Sequence, residues 1–265
     1  MSGPDPAPVL LDVEDGVARL TLHRPDAANA INLDLARALG AAVERIRSDP
    51  SVRVVRLTGS GPRFCGGGDV RGFAGVGDRL GDHLAELLGA LHPAIAGLAT
   101  LEVPVVAAVQ GSAAGAGISL VAAADLVVAA QHTRFVLAYT SLGLVPDGGS
   151  TWSLPRLVGT RRALDLALTN RTLDADEALA WGLVSRVVAD EELSDATDRL
   201  VAQLAAGPTG AFAATKRLIA AAPTATLDEQ LDRERAAMVA AGASADGQDG
   251  VAAFVEKRPP RFEGR

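Results

Sequence analysis

Short apolar runs at two different periods divide this chain into strands and helices. Val9 to Val13 and Val17 to Leu22 flank Glu14-Asp15-Gly16, a hairpin signal. His23-Arg24-Pro25-Asp26 breaks the second strand. Leu35, Ala38, Leu39, Ala42, Val43 and Ile46 recur at helical spacing, which predicts a helix from an Asn32 cap to about Arg47, ended by Asp49-Pro50. Val52 to Leu57 predicts a strand, Gly59-Ser60-Gly61-Pro62 a turn, and Phe64-Cys65-Gly66-Gly67-Gly68-Asp69 a glycine-rich corner. Arg71 to Leu80 has no clear period and is expected to form a mobile lip. Helical spacing returns from about Leu80 to Ala99.

The stretch from Leu101 to Asp125 is the most informative. Between Glu102 and Asp125 no residue is charged, a run long enough to mimic a membrane span, yet Pro104, Gln110, Ser112 and the glycines argue for a buried strand, loop and helix. Val105 to Val109 reads as the strand, Gly111 to Gly117 as a small-residue loop, and Ser119 to Ala124 as the helix. Such a junction presents main-chain N–H groups at the positive end of a helix and suits a negative group. The order strand, glycine corner, helix occurs at 52–70 and again at 104–124. Two equivalent corners can face one site; the residues alone allow equally that they only turn the chain.

Further strands are predicted at Leu126 to Ala129, near Phe135 to Ala138, and at Leu183 to Val188. Leu142 to Trp152 reads as a loop. Helices are predicted at Thr160 to Leu168, at Ala175 to Trp181 behind an Asp174 cap, and at Glu191 to Ala206. After Gly207-Pro208 only helical periodicity remains, at Ala211 to Ala221, Leu227 to Ala241 and Gly247 to Glu256. The chain is therefore divided into a 1–206 core and a 207–265 helical region, whose apolar faces are expected to pack on the core or on another subunit.

Composition narrows the setting. Apolar residues make up 48% of the chain but only six Phe, two Trp and one Tyr are aromatic, so the core must be built from Ala, Leu and Val. A net charge of −7 argues against nucleic acid or an anionic membrane as partner. The single cysteine, Cys65, has no internal disulfide partner, and the start MSGPDPAP has no signal-peptide pattern; a reducing, cytoplasmic setting is expected. All basic residues but Lys216 and Lys257 are arginine, which draws attention to those two.

Several chemistries are excluded. Gly115-Ala116-Gly117 lacks the rest of a dinucleotide fingerprint, there is no Walker lysine, and Gly117-Ile118-Ser119-Leu120-Val121 lacks the last glycine of a nucleophile elbow. His23, His83, His92 and His132 have no metal spacing, and no metal is expected. Cys65 reads as a small core residue.

Five motifs, in order and spacing, carry a family resemblance: Arg24-Pro25-Asp26-Ala27-Ala28-Asn29-Ala30, Phe64 to Asp69, Gln110 to Asp125, Leu142-Gly143-Leu144-Val145-Pro146, and Ala253-Phe254-Val255-Glu256-Lys257-Arg258. Together, over residues 9 to 264, they resemble the crotonase (enoyl-CoA hydratase/isomerase) superfamily. The resemblance implies an α/β spiral of ββα units with an all-helical trimerisation region, and a homotrimer or dimer of trimers. It implies that Gly68 and Ala116 supply the N–H donors of an oxyanion hole for an acyl-CoA thioester, with Gly66 and Gly115 beside them. It further implies that Ala27, Ala28 and Ala30 line the pantetheine path, that Phe254 and Lys257 contact CoA, often across a subunit boundary, and that no cofactor is needed beyond the CoA of the substrate. The basic tail from Lys257 to Arg265 reads as a home for the CoA phosphates, with a solvated end as the alternative.

One departure bears on the reaction. Where hydratases of the superfamily carry two glutamates, this chain has Ser119 and Tyr139, neither an effective base near neutral pH. Asp147, in Leu144-Val145-Pro146-Asp147-Gly148-Gly149, stands where isomerases of the superfamily place an acid. The similarity is strongest to the ring-epoxide isomerases of phenylacetyl-CoA breakdown, across Ala113 to Gly117, Phe135 to Trp152 and Leu227 to Arg235; Gly68 departs from them, since they carry a larger polar residue there. The expected activity is isomerisation with Asp147 as the single base, its pKa raised by Leu144 and Val145. Otherwise Asp147 caps the turn that follows. Ser119 and Tyr139 are expected to fill the pocket or orient substrate, and Asp69 to cap the corner after Gly68. The rival readings are a hydratase of fatty-acid or aromatic-acid breakdown and a non-catalytic acyl-CoA-binding protein.

Overall fold

A computed structural model describes residues 7–264, so most of the polar start and Arg265 of the basic tail lie outside the described residues. Strands β1 (Val9–Glu14) and β2 (Val17–Leu22) form the predicted hairpin. Its turn places Asp15 (φ +50°) and Gly16 (φ +78°) in the left-handed region, as a tight hairpin of this twist requires. Asn32 accepts from the Leu35 N–H at 3.0 Å and caps α1 (Leu33–Ser48). Next come β3 (Val54–Gly59), the short α2 (Val70–Ala74) inside the expected lip, and α3 (Leu80–Ala99). Burial of the apolar stripe of α1 (Leu35, Leu39, Val43, Ile46) against α3 forms much of the first core.

The central stretch folds as β4 (Val105–Val109), β5 (Ser112–Ala114) and α4 (Ala116–Ala123). Then follow β6 (Leu126–Ala130), β7 (Arg134–Val136), α5 (Ser150–Leu157), α6 (Thr160–Thr169), β8 (Leu173–Asp174), α7 (Ala175–Trp181) and β9 (Arg186–Val188). A six-stranded sheet has the order β1-β2-β3-β4-β6-β9, and a three-stranded sheet the order β5-β7-β8. Two successive turns of the chain, β4-β5-α4 and β6-β7-α5, each add a strand to the large sheet, another to the small one, and then a helix. That is the expected ββα spiral. Parallel neighbours buried on both faces explain why β4 is a continuous apolar run. No helix among the described residues is long and apolar enough to cross a membrane, and the charge-free stretch is buried strand and helix as expected.

Beyond β9 lie α8 (Leu193–Ala205), α9 (Thr209–Ala221), α10 (Leu227–Ala243) and α11 (Ala245–Glu256). Lys216 has a structural explanation: its Nζ donates to the Asp125 carboxylate at 2.5 Å and the Val103 carbonyl at 2.8 Å, tying α9 to the entrance of β4. Arg53 reaches in the other direction, donating to the carbonyls of Gly207 at 2.7 Å and Phe262 at 3.2 Å. Some predicted elements differ. The strand expected from Val52 begins at Val54, where pairing with Val17 starts; the loop expected at Gly111 to Gly117 holds β5 and the start of α4; the strand expected from Leu183 begins at Arg186; and the last three residues of the Leu142 to Trp152 loop enter α5.

Candidate active site

The two glycine corners meet. Cys65 and Ala113 form a parallel bridge in which the Cys65 N–H donates to the Ser112 carbonyl at 3.1 Å and the Ala114 N–H to the Cys65 carbonyl at 2.9 Å. Gly67, at φ +89°, lies so close that a Cβ on it would sit 2.8 Å from the Ala114 carbonyl oxygen; one on Gly117 would sit 2.7 Å from that of Cys65. Glycine is what lets these backbones touch. Cys65 is fully buried, its thiol pushed up to about 12 by desolvation, and is the inert core residue expected.

The contact brings Gly68 and Ala116 to one cavity of 180 Å³. Ala116 is the first residue of α4, where an N–H has no intrahelical acceptor and the helix end is positive. Among the described residues neither the Gly68 nor the Ala116 N–H has an acceptor. Gly66, Gly115, Tyr139 and Asp147 line the same space, and among the described residues Tyr139 and Asp147 are its only polar side chains. The rest is apolar, including Phe73 and the α3 residues Leu87 and Leu91.

Asp147 is held from several sides. The Tyr139 hydroxyl donates to its Oδ1 at 3.1 Å. Its main-chain carbonyl accepts from Ser119 Oγ at 3.0 Å and Ser150 Oγ at 2.9 Å, and the next N–H, that of Gly148, donates to His92 Nε2 at 3.2 Å. A Cβ on Gly148 would lie 2.8 Å from Ser119, so the loop lies directly on α4. Burial pushes the Asp147 carboxyl above the usual range; the Tyr139 hydrogen bond and the neighbouring His92 act in the opposite direction, and burial prevails. Tyr139 is pushed well above its usual range by burial and by the adjacent carboxylate, so it remains the donor of the pair. The capping alternative for Asp147 does not hold for its side chain, because α5 starts from Gly149 without a side-chain cap.

Other expected residues fall in varied places. Ser119 is buried behind the Asp147 loop and does not line the cavity. Tyr139 does line it, and its hydroxyl engages Asp147 as well as filling space. Leu144 lines the cavity, whereas Val145 at its edge is 79% exposed and so placed to desolvate Asp147 less than expected. Ala27, Ala28 and Ala30 lie outside the cavity, around a turn whose Ala28 carbonyl accepts from the Gly66 N–H at 2.8 Å and braces the first corner. Asp69 caps α2 through the Gly72 N–H at 3.3 Å and pairs with Arg24 at 3.1 Å. Phe254, 87% exposed, and Lys257 at the end of α11 lie outside the cavity. In the basic tail Arg258 is already paired with Asp249 and Glu256, each at 2.6 Å. His92 and Phe73 are the site residues that sequence reasoning missed. His92 lies 56 positions from Gly148, and no local pattern signals their contact.

Comparison with known proteins places these features. The model of a family described as Enoyl-CoA hydratase/isomerase matches residues 12–265. The chain is 41% identical to 1,2-epoxyphenylacetyl-CoA isomerase of Escherichia coli (strain K12), over 97% of this chain and 98% of that protein. It is 42% identical to a Rhodobacter capsulatus protein named "Probable enoyl-CoA hydratase", over 96% and 97%. The crystal structure of an enoyl-CoA hydratase from Polaromonas sp. JS666 superposes with a TM-score of 0.91 at 34% identity, covering 96% of this chain and 99% of that one.

Proposed function

The chain belongs to the enoyl-CoA hydratase/isomerase family, and we propose that within it this protein is an acyl-CoA isomerase, moving a double bond or rearranging a ring epoxide with Asp147 as its single base. One observation carries the reading: among the described residues Asp147 is the only carboxylate lining the cavity that Gly68 and Ala116 also line. The similarity to an epoxyphenylacetyl-CoA isomerase agrees with it, while the similarity to a protein named as a hydratase leaves the choice to the residues.

The chemistry follows from the placement. A thioester carbonyl accepting from both N–H groups acidifies the neighbouring carbon, because the enolate oxygen formed on proton loss is held by donors already in place. Asp147 takes a proton from one carbon and returns it to another, so the double bond moves and no atom is gained or lost. Tyr139 occupies Oδ1 and leaves Oδ2 for the proton. A carboxyl raised by burial is a stronger base when ionised, which suits a shuttle. Hydration needs an activated water, and neither Ser119 nor Tyr139 supplies a carboxylate for it.

CoA binding along Ala27, Ala28 and Ala30, with Phe254 and Lys257 contributed by a neighbouring subunit of a homotrimer, is part of the same proposal. Exposed apolar residues of the C-terminal helices, among them Leu231, Met238, Val251 and Phe254, support the assembly. The test is Asp147→Asn assayed on a panel of 3-enoyl-, 2-enoyl- and epoxyphenylacetyl-CoA for isomerisation and hydration. Isomerisation should fall roughly 10²- to 10⁴-fold with acyl-CoA binding retained. Undiminished isomerisation would sink the proposal, wild-type hydration at family-like rates would favour a hydratase, and binding without any turnover would favour a carrier.

A further inference from the structure

Gly68 is unusual for what stands against it. A Cβ built there would lie 2.9 Å from Phe73 Cζ, closer than real contacts allow, and 3.1 Å from Cε2, so the ring would have to shift. Phe73 comes from α2, which Asp69 caps while paired with Arg24. Its ring meets His83 of α3 edge-on, with centroids 5.7 Å apart at 67°. It lines the cavity beside Leu84, Leu87 and Leu88. The ring thus occupies the space that a side chain at position 68 would take, and does so next to an oxyanion donor.

We propose that Phe73 is the size gauge of the acyl pocket, closing it around a compact apolar acyl group of the bulk of one benzene ring or a chain of about six to eight carbons. The 180 Å³ of cavity is slightly more than the roughly 150 Å³ that accommodates benzene in an apolar protein core. Every other lining side chain except Tyr139 and Asp147 is apolar, so the pocket takes hydrocarbon and tolerates a polar atom only beside that pair. The proposal rests on the acyl-CoA reading above, and its test separates the two.

Binding of saturated, unreactive acyl-CoAs from butanoyl to dodecanoyl, and of phenylacetyl-CoA, is measured by calorimetry on the wild type, Phe73→Ala, Phe73→Leu and Gly68→Ala. Wild-type affinity should rise about fourfold per methylene until the pocket is full and then level off. In F73A the levelling point should move to longer chains, in F73L by less, and in G68A all acyl groups should bind more weakly because the ring is displaced. The same levelling point in wild type, F73A and F73L overturns the gauge. If no acyl-CoA binds better than CoA itself, the acyl-CoA reading fails as well.

Discussion

At the Gly68–Ala116 end of the cavity the polar groups on offer are main-chain N–H groups, whereas at the Asp147 end they belong to side chains. The first end is fixed by backbone contact: Gly67 against Ala114, Gly117 against Cys65, with glycine needed wherever a Cβ would collide. The second is a loop held by Tyr139 from the chain just before it, Ser119 from α4 and His92 from α3. A main-chain donor survives most substitutions, provided the glycines stay. A carboxylate held by side chains can be lost, moved or retuned one residue at a time. Relatives of nearly equal identity carry the names of an isomerase and a hydratase, as fits a shared fold whose chemistry is set by a few side chains.

The comparison can be broken most severely at the donor end. Ala116→Pro removes the N–H at the first position of α4, where proline is tolerated and no helix hydrogen bond is lost. It should lower kcat by about 10²- to 10³-fold with the fold intact by circular dichroism. A loss of only a few-fold would mean that this N–H does not hold the developing charge.

At the other end the effects should be smaller and graded. Tyr139→Phe removes the hydrogen bond that holds the Asp147 carboxyl down, leaving burial less opposed. The pKa therefore rises further, and the acidic limb of kcat/KM should move to higher pH, with kcat reduced roughly tenfold, as expected for one hydrogen bond to a charged group. A limb that stays in place or moves to lower pH contradicts this role for Tyr139.

His92 gives the smallest and sharpest test. Its Nε2 accepts from Gly148, a contact glutamine can replace through its side-chain oxygen and leucine cannot. His92→Leu should reduce kcat a few-fold with KM little changed, and His92→Gln should restore most of it. Equal losses in both variants would assign His92 no bracing role.

Much of the fold was legible because the periodic helices carry their own signals. The Asn32 cap and apolar stripe mark α1, and Asp174 and Gly182 bracket α7. What escaped depends on distant partners. β5 is three small residues that become a strand by pairing with β7, and α5 is a short helix with Ser, Thr and an internal Pro155 in place of an apolar stripe. In the site, glycine spacing announced the two corners, because close approach demands that residue. The role of Ser119 did not show: its hydroxyl acts on a carbonyl 28 positions away, and only the folded chain brings α4 under the Asp147 loop.

The Asp125 carboxylate follows α4, accepts from the Val105 N–H at 2.7 Å where β4 begins, and takes its counter-ion from Lys216, 91 positions further on. It works as a drawstring, gathering both ends of the strand–loop–helix segment to a single knot whose free end is α9. Desolvation pushes this carboxyl up, and Lys216 and the Val105 N–H act against that push, so the lysine is the partner that favours the charged form of the knot. A chain cut at 207 would lose that cation. The segment carrying Ala116 would then lose a tie at its base, which makes the C-terminal helices part of the foundation of the second glycine corner.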